Sequence, residues 1–189
     1  MKAAPPGSIL LGDGFVELAS PSAVNMALSR LVRRGALDRV RRGNNPKPLS
    51  SRFGRGSAAA EEVALLSAGG KAPGPAGPSA AAALGLSTQV PPHPTVAVVG
   101  RPPTSVPNVR FVERSNLERV AARLGPLDVA VLEILRDDLA WVEVSRSDVA
   151  ARIRKLVRAD RIDARRLRHA AKGEPRRVRV ALEALLSAS

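Results

Sequence analysis

Residues 20–43, "SPSAVNMALSRLVRRGALDRVRRG", carry the strongest folding instructions in the chain. Ser20 can cap a helix and Pro21 suits its first position, because the proline lacks an N–H that would go unpaired there anyway. Gly35 is a typical residue just past a helix end. Between them Val24, Leu28, Leu31 and Val32 fall at i, i+4, i+7 and i+8, which predicts one apolar stripe facing a core. Ser22, Asn25, Met26, Ser29, Arg30 and Arg33 are left on the other side of that helix. Beyond Gly35 the segment 36–43 reads as a strand, and "NNPKPLSSRFGRG" (44–56) as a Pro/Arg/Gly loop. A short helix is expected near Phe15–Ala19. Helix, helix, strand and basic loop over residues 9–56 have the order of a winged helix-turn-helix, with its second helix for the DNA major groove.

The charge distribution points the same way. The 189 residues hold 30 Lys+Arg against 17 Asp+Glu, a net charge of +13. That balance implies a polyanionic partner, nucleic acid before a membrane surface. The excess is not uniform. Residues 1–56 hold 10 basic and 3 acidic side chains, residues 57–150 hold 8 and 10, and residues 151–189 hold 12 and 4. Two basic ends therefore flank a nearly neutral middle, as two phosphate-contacting surfaces or one bipartite surface would require.

On the predicted helix, Ser22, Asn25, Ser29 and Arg30 are the candidates to approach base edges. Arginine can bridge guanine O6 and N7, and asparagine can pair with adenine N6 and N7. Arg33, Arg34, Arg41, Arg42, Lys47 and Arg52 are candidates for phosphates, which set position rather than sequence. The C-terminal run Arg152, Arg154, Lys155, Arg158, Arg161, Arg165, Arg166 and Arg168 is open to three readings. It can be a solvated face paired with Asp160 and Asp163, a DNA-backbone contact, or a docking surface for an acidic protein patch.

Residues 57–189 read as a second, mixed domain. A helix is expected over 57–68 with Ser57 as its cap, then an irregular "GGKAPGPAGP" (69–78). "SAAAALGL" (79–86) is a short helix stopped by Gly85, and Leu84, Leu86 and Val90 of "LGLSTQV" look like core. Strands are expected at 94–100 and 108–112, joined by turn residues as a small sheet edge or hairpin. From Ser115 the pattern is helical, marked by Leu127/Val131/Leu135, Val149/Ile153/Leu156/Val157, Leu167/Ala171 and Val178/Ala181/Leu182/Leu185. With Phe15, Phe53, Phe111 and Trp141 as the only aromatics, the core must be aliphatic.

Catalysis is not indicated. There is no P-loop and no GxGxxG fingerprint. The absence of cysteine rules out disulfides and thiolate chemistry. His93 and His169, unaided by cysteine, and the lone pair Asp137-Asp138 do not make a metal or acid/base site. No cofactor and no metal are expected. The run Ile9-Leu10-Leu11 is too short for a signal peptide and is interrupted by Gly12-Asp13. No apolar stretch approaches the roughly 20 residues of a membrane helix. A soluble cytoplasmic protein is the expectation.

Three segments resemble the AbiEi-related antitoxin and transcriptional regulators of bacterial abortive-infection toxin–antitoxin operons. They are "SAVNMALSRLVRRGALDRVRRG", then "GPSAAAALGLSTQVPPHPTVAVVG", the most specific, then the C-terminal order of helix, acidic-plus-Trp turn, "VAARIRKL" and short basic helices. The resemblance covers roughly residues 9–186. Only a few residues precede 9–18, where the family has a further helix, and Asn44-Asn45 stand where it tends to place tyrosine. The resemblance implies an α+β chain: a winged helix-turn-helix at 1–56, lacking that first helix, then an α+β antitoxin domain at 57–189. It implies binding, as monomer or dimer, to inverted repeats in the protein's own promoter, and antagonism of a nucleotidyltransferase-like toxin. It implies no enzymatic activity. The competing expectation is a non-catalytic interaction module that binds only the toxin. An RNA-binding role is weaker, since the stacking aromatics of single-strand platforms are missing.

Overall fold

The computed structural model describes residues 9–11, 15, 18–34, 44–46, 50–51, 54–55, 58–103 and 106–187. The chain divides into two compact units, Met1–Ala64 and Leu65–Ser189. It is an α+β protein, and none of its described helices is long and apolar enough to cross a membrane.

In the first unit, β1 (Ile9–Leu11) precedes α1 (Pro21–Arg33). Ser20 Oγ accepts the N–H of Ala23 at 3.3 Å, so serine and proline start α1 as their chemistry predicts. Val24 and Leu28 are buried against Phe15. Leu31 is 38% exposed, so it does not extend the core stripe as expected, and the side chain of Val32 lies outside the described residues. At the short helix expected near 15–19, Phe15 is in 3-10 helical conformation, and the N–H groups of Leu18 and Ala19 both donate to Phe15 O, the bonds of one helical turn. The expected strand at 36–43 lies outside the described residues. The segment expected as a loop contains short strands. β2 (Asn44–Pro46) pairs antiparallel with β1, Leu10 opposite Asn45, and β3 (Ser50–Ser51) pairs antiparallel with β4 (Gly54–Arg55). Strand pairing here satisfies backbone groups that a polar, Pro-rich composition left unassigned.

α2 (Ala58–Ala68) contains the division between the units, and Val63, Ala64 and Ala68 on it are buried. In the second unit β5 (Gly74–Pro75) is followed by α3 (Pro78–Leu84), β6 (Thr95–Val99) and β7 (Arg110–Arg114). The sheet order is β5-β6-β7. The stretch 69–78 is thus not wholly irregular: Gly74 pairs with Ala97 and Pro75 with Val96, antiparallel. β6 and β7 run parallel, Val96 opposite Phe111 and Val98 opposite Glu113, which replaces the expected hairpin alternative. The connection 100–109 is long enough to return along a strand of five residues, roughly 17 Å. Bonds from Arg110 N to Pro94 O and from Gly100 N to Arg114 O close both ends of that parallel register.

The helical part follows as α4 (Glu118–Ala121), α5 (Pro126–Arg136), α6 (Arg146–Arg158), α7 (Ala164–Ala171) and α8 (Arg176–Ser187). α5 is buried from Asp128 to Leu135 and packs against α3, β5, α7 and α8. Val131, Leu135, Val149, Ile153, Leu156, Leu167, Ala171, Val178, Leu182 and Leu185 all reach one aliphatic core, as their helical spacing predicts.

Gly74 marks the tightest approach of sheet to helix. A Cβ there would stand 2.7 Å from Val129 Cγ1 and 2.8 Å from the backbone oxygen of Pro126. That oxygen cannot yield without moving α5. Gly74→Ala is therefore expected to destabilise the unit by about 1–3 kcal/mol in chemical denaturation, the usual cost of overpacking. Gly70→Ala, with nothing within 4 Å of its Cβ, serves as the comparison and is expected to stay within about 0.5 kcal/mol of wild type.

Candidate nucleic-acid interface

α1 keeps its buried and exposed sides apart. Val24 and Leu28 face inward. Ser22, Asn25, Arg30 and Arg33 are exposed, Ser29 is half-buried, and Arg34 is exposed just past the helix end. The helix carries no acidic residue, and its last turn holds Arg30 and Arg33. Arg30 lies along the exposed Met26, its Nη2 3.5 Å from the sulfur. Cations in a last turn also complement the helix dipole by about 0.3–1 kcal/mol, so part of their presence is structural. The face that remains is basic and free of carboxylates, with the exposed Met26 among its polar side chains. The structure thus brings five of the predicted contacts, Ser22, Asn25, Ser29, Arg30 and Arg33, onto one helix, with Arg34 immediately after it. Arg41, Arg42, Lys47 and Arg52 lie outside the described residues.

The C-terminal arginines separate into distinct roles. Arg152 donates Nε–H to Leu84 O at 2.7 Å, across the end of α3. Arg166 pairs with Asp163 at 3.2 Å and donates to Arg123 O, and Arg168 pairs with Glu183 at 3.2 Å. Asp163 also caps α7 through the N–H groups of Arg165 and Arg166. The Arg166 backbone bond, ahead of the charges of both arginines, holds the Asp163 carboxyl below the usual aspartate range. Asp160 makes no ion pair among the described residues. Lys155, Arg158 and Arg165 are exposed with no side-chain partner there. Arg154 is half-buried, its Nη1 enclosed without a hydrogen bond. Of the three readings of this run, pairing with nearby aspartates thus accounts for Arg166 alone. Elsewhere, His169 lies 3.0 Å from Glu118 and Asp138 pairs with Arg146 at 3.2 Å.

"LGLSTQV" is held from two sides. Gly85, at φ 68°, ends α3, with its own N–H on Ala82 O and that of Leu86 on Ala81 O, the paired bonds of a Schellman turn. The exposed Glu143 accepts from Thr88 N at 2.8 Å and Thr88 Oγ1 at 3.2 Å, bonds that keep its carboxyl below the usual glutamate range. Leu84 and Leu86 are core as expected, but Val90 is 73% exposed, because the chain has turned outward past this clasp.

A buried ionic cluster in the second unit has no counterpart in the sequence reading. Arg119 spans two carboxylates, Nη1 to Glu133 Oε1 at 2.6 Å and Nε to Glu174 Oε1 at 2.7 Å. Arg119 is 1% exposed and both glutamate side chains are fully buried. Arg114 adds bonds to both oxygens of Glu133, at 3.0 and 2.6 Å. Arg136 binds Glu174 Oε2, and Asn116 donates to Glu174 Oε1 at 2.8 Å and to Ala170 O at 2.9 Å. Burial works against ionisation of Glu174, but the bonds from Arg119, Asn116 and Arg136 outweigh it and hold the carboxyl below the usual range. The hydrogen bond to Glu133 raises the Arg114 guanidinium above its ordinary value. The one local signal was Glu133 inside the apolar run "VAVLEIL", a charge where the helix faces only core.

A basic helix face on one small unit and an ion-pinned α+β unit make up the described architecture. The chain belongs to DUF6088, a family of unknown function, whose profile matches residues 1–102. Among solved structures it is similar to the RV2827C protein from Mycobacterium tuberculosis, at 15% identity and a TM-score of 0.48, covering 97% of this chain and 72% of that one. No curated protein matches it.

Proposed function

We propose that this protein is a cytoplasmic DNA-binding antitoxin that represses its own operon and counteracts a nucleotidyltransferase-like toxin. In this reading the first unit is a winged helix-turn-helix, α1 enters the major groove, and the basic segment after it contacts phosphates. The observation that carries the reading is the carboxylate-free basic face of α1 opposite Val24 and Leu28. The AbiEi-like segments supply the operon context, and no catalytic role is assigned to the chain.

The test is a gel shift of the full chain on the DNA upstream of its own gene, repeated from 50 to 200 mM salt. The expected result is a discrete complex whose log affinity falls linearly with log salt, with a slope of about −0.9 for each phosphate contacted. Binding no tighter to that DNA than to unrelated duplex sinks the repressor reading. A second reading, a module that binds only its toxin, draws on the unpaired Lys155, Arg158 and Arg165. Under it the upstream DNA does not shift, while substituting these three cations weakens capture of the purified toxin.

A further inference from the structure

A cleft of about 390 Å³ opens beside the ionic cluster, with Glu113, Arg114, Ser115, Arg136, Glu174 and Pro175 among its lining residues. Two guanidinium groups form part of its wall, their side chains 19% and 27% exposed at Arg114 and Arg136. Each is fixed from behind by a buried carboxylate, Arg114 by Glu133 and Arg136 by Glu174. Those carboxylates are already occupied. Glu174 Oε1 takes Arg119 and Asn116, and Oε2 takes Arg136. The donors are not used up. Only Nη1 of Arg136 has a partner among the described residues, and Nη1 of Arg114 has only a long 3.4 Å contact to Glu113 O. Arg119, which does not itself line the cleft, keeps a buried Nη2 with no hydrogen-bond partner among the described residues. Three guanidinium groups share two buried carboxylates, and the rim adds a third carboxylate, the exposed Glu113, so what the cleft offers an anion is unused N–H donors rather than a net charge. α8 begins at the same rim, since Glu174 and Pro175 lead into it, and Arg177 Nη2 donates to Arg136 O at 3.0 Å.

We propose that this cleft binds the phosphate group of a small molecule. Planar guanidinium forks held in fixed orientation match tetrahedral oxyanions, and a helix N-terminus at the rim favours negative charge. The volume exceeds that of a bare phosphate and falls within the roughly 300–1,000 Å³ of small-molecule sites, which leaves room for an esterified group. Of the two lining carboxylates, Glu174 is taken up by Arg119, Arg136 and Asn116, whereas Glu113, exposed at the rim and without an ion-pair partner among the described residues, opposes such a ligand. The site is independent of the DNA-reading face on α1.

The test is calorimetric titration of the full chain with inorganic phosphate and, separately, with adenosine monophosphate, ionic strength being held constant with sodium chloride. Saturable one-to-one binding is expected. Arg136→Gln is expected to weaken it about tenfold or more, the usual weight of a charge-assisted bond. Glu113→Gln is expected to tighten it about two- to threefold, by removing a like charge at the rim. The double variant Arg165→Gln/Arg168→Gln, which removes exposed cations that do not line the cleft, is expected to change nothing. Tighter binding of the nucleotide assigns the site to a phosphate ester, and equal or tighter binding of inorganic phosphate assigns it to the free ion. Three results overturn the proposal: no saturable binding, unchanged binding in Arg136→Gln, or an equal loss in the double variant. If circular dichroism shows Arg136→Gln unfolded, Glu113→Gln decides, and unchanged or weaker binding there rejects the site.

Discussion

Arg119→Met is expected to destabilise the C-terminal unit by about 3–5 kcal/mol, the cost of removing one partner from a buried ion pair. The pair is a shared one. A single guanidinium serves Glu133 and Glu174 through two different nitrogens, and both carboxylates are fully buried. Methionine fills much of the volume but leaves Glu133 with Arg114 alone, and Glu174 with Arg136 and Asn116. Since a domain is stable by only about 5–15 kcal/mol, such a loss approaches outright unfolding. Chemical denaturation followed by Trp141, the only tryptophan, reads this unit directly. Arg119→Lys keeps the charge but not the fork that reaches both carboxylates, so its loss is expected to fall in between. Acid sensitivity gives a second readout. The Glu174 carboxyl is held below its unfolded value, so its stabilisation is fully present above the ordinary glutamate range and is lost as the pH falls through the folded value. A wild-type stability that stays flat as the pH is lowered through that range would count against the cluster as a source of stability, as would a loss below about 1 kcal/mol in Arg119→Met.

The second large effect concerns DNA. Arg30→Ala together with Arg33→Ala is expected to lower affinity for the upstream DNA about ten- to a hundredfold at fixed salt. Arg30 stands for a base-edge contact, worth about 1–3 kcal/mol. Arg33 stands for a phosphate contact, whose loss weakens binding to all sequences and makes the salt slope shallower by about 1. Both side chains are exposed and neither forms an ion pair among the described residues, so the fold is expected to tolerate the change. The two contributions separate in the single variants. Arg30→Ala narrows the preference for the operator over random DNA, and Arg33→Ala leaves that preference intact. Unchanged affinity in the double variant would remove α1 as the reading helix.

Most of the helical architecture was legible because its instructions are local. Ser20-Pro21 before α1 and Gly85 after α3 act within one turn, and the stripes on α5 to α8 repeat at helical spacing. The exposed positions of α1 follow from the same periodicity. Pairing was harder to read. The strands expected at 94–100 and 108–112 stand at 95–99 and 110–114, but turn residues between them suit a hairpin and a short return alike. Leu31 and Val90 show that an apolar residue at a core-like position stays outside when nothing packs over it. The ionic cluster was hidden for a different reason. Its members sit at 114, 116, 119, 133, 136 and 174, and no spacing rule connects a helix to residues some forty positions away.

β7 is the outer strand of its sheet, and its sequence Arg110-Phe111-Val112-Glu113-Arg114 bears on how copies of the chain behave when crowded together. An edge strand offers unpaired backbone groups on which another copy can template. Antiparallel pairing of two such edges centred on Val112 would set Arg110 against Arg114 at both ends. In-register parallel pairing would set each arginine against its own counterpart, and Glu113 against Glu113. Like charges directly opposite disfavour both arrangements. Among the described residues no strand pairs with the outer edge of β7, and the order of charges along it makes the most symmetric ways of occupying that edge repulsive.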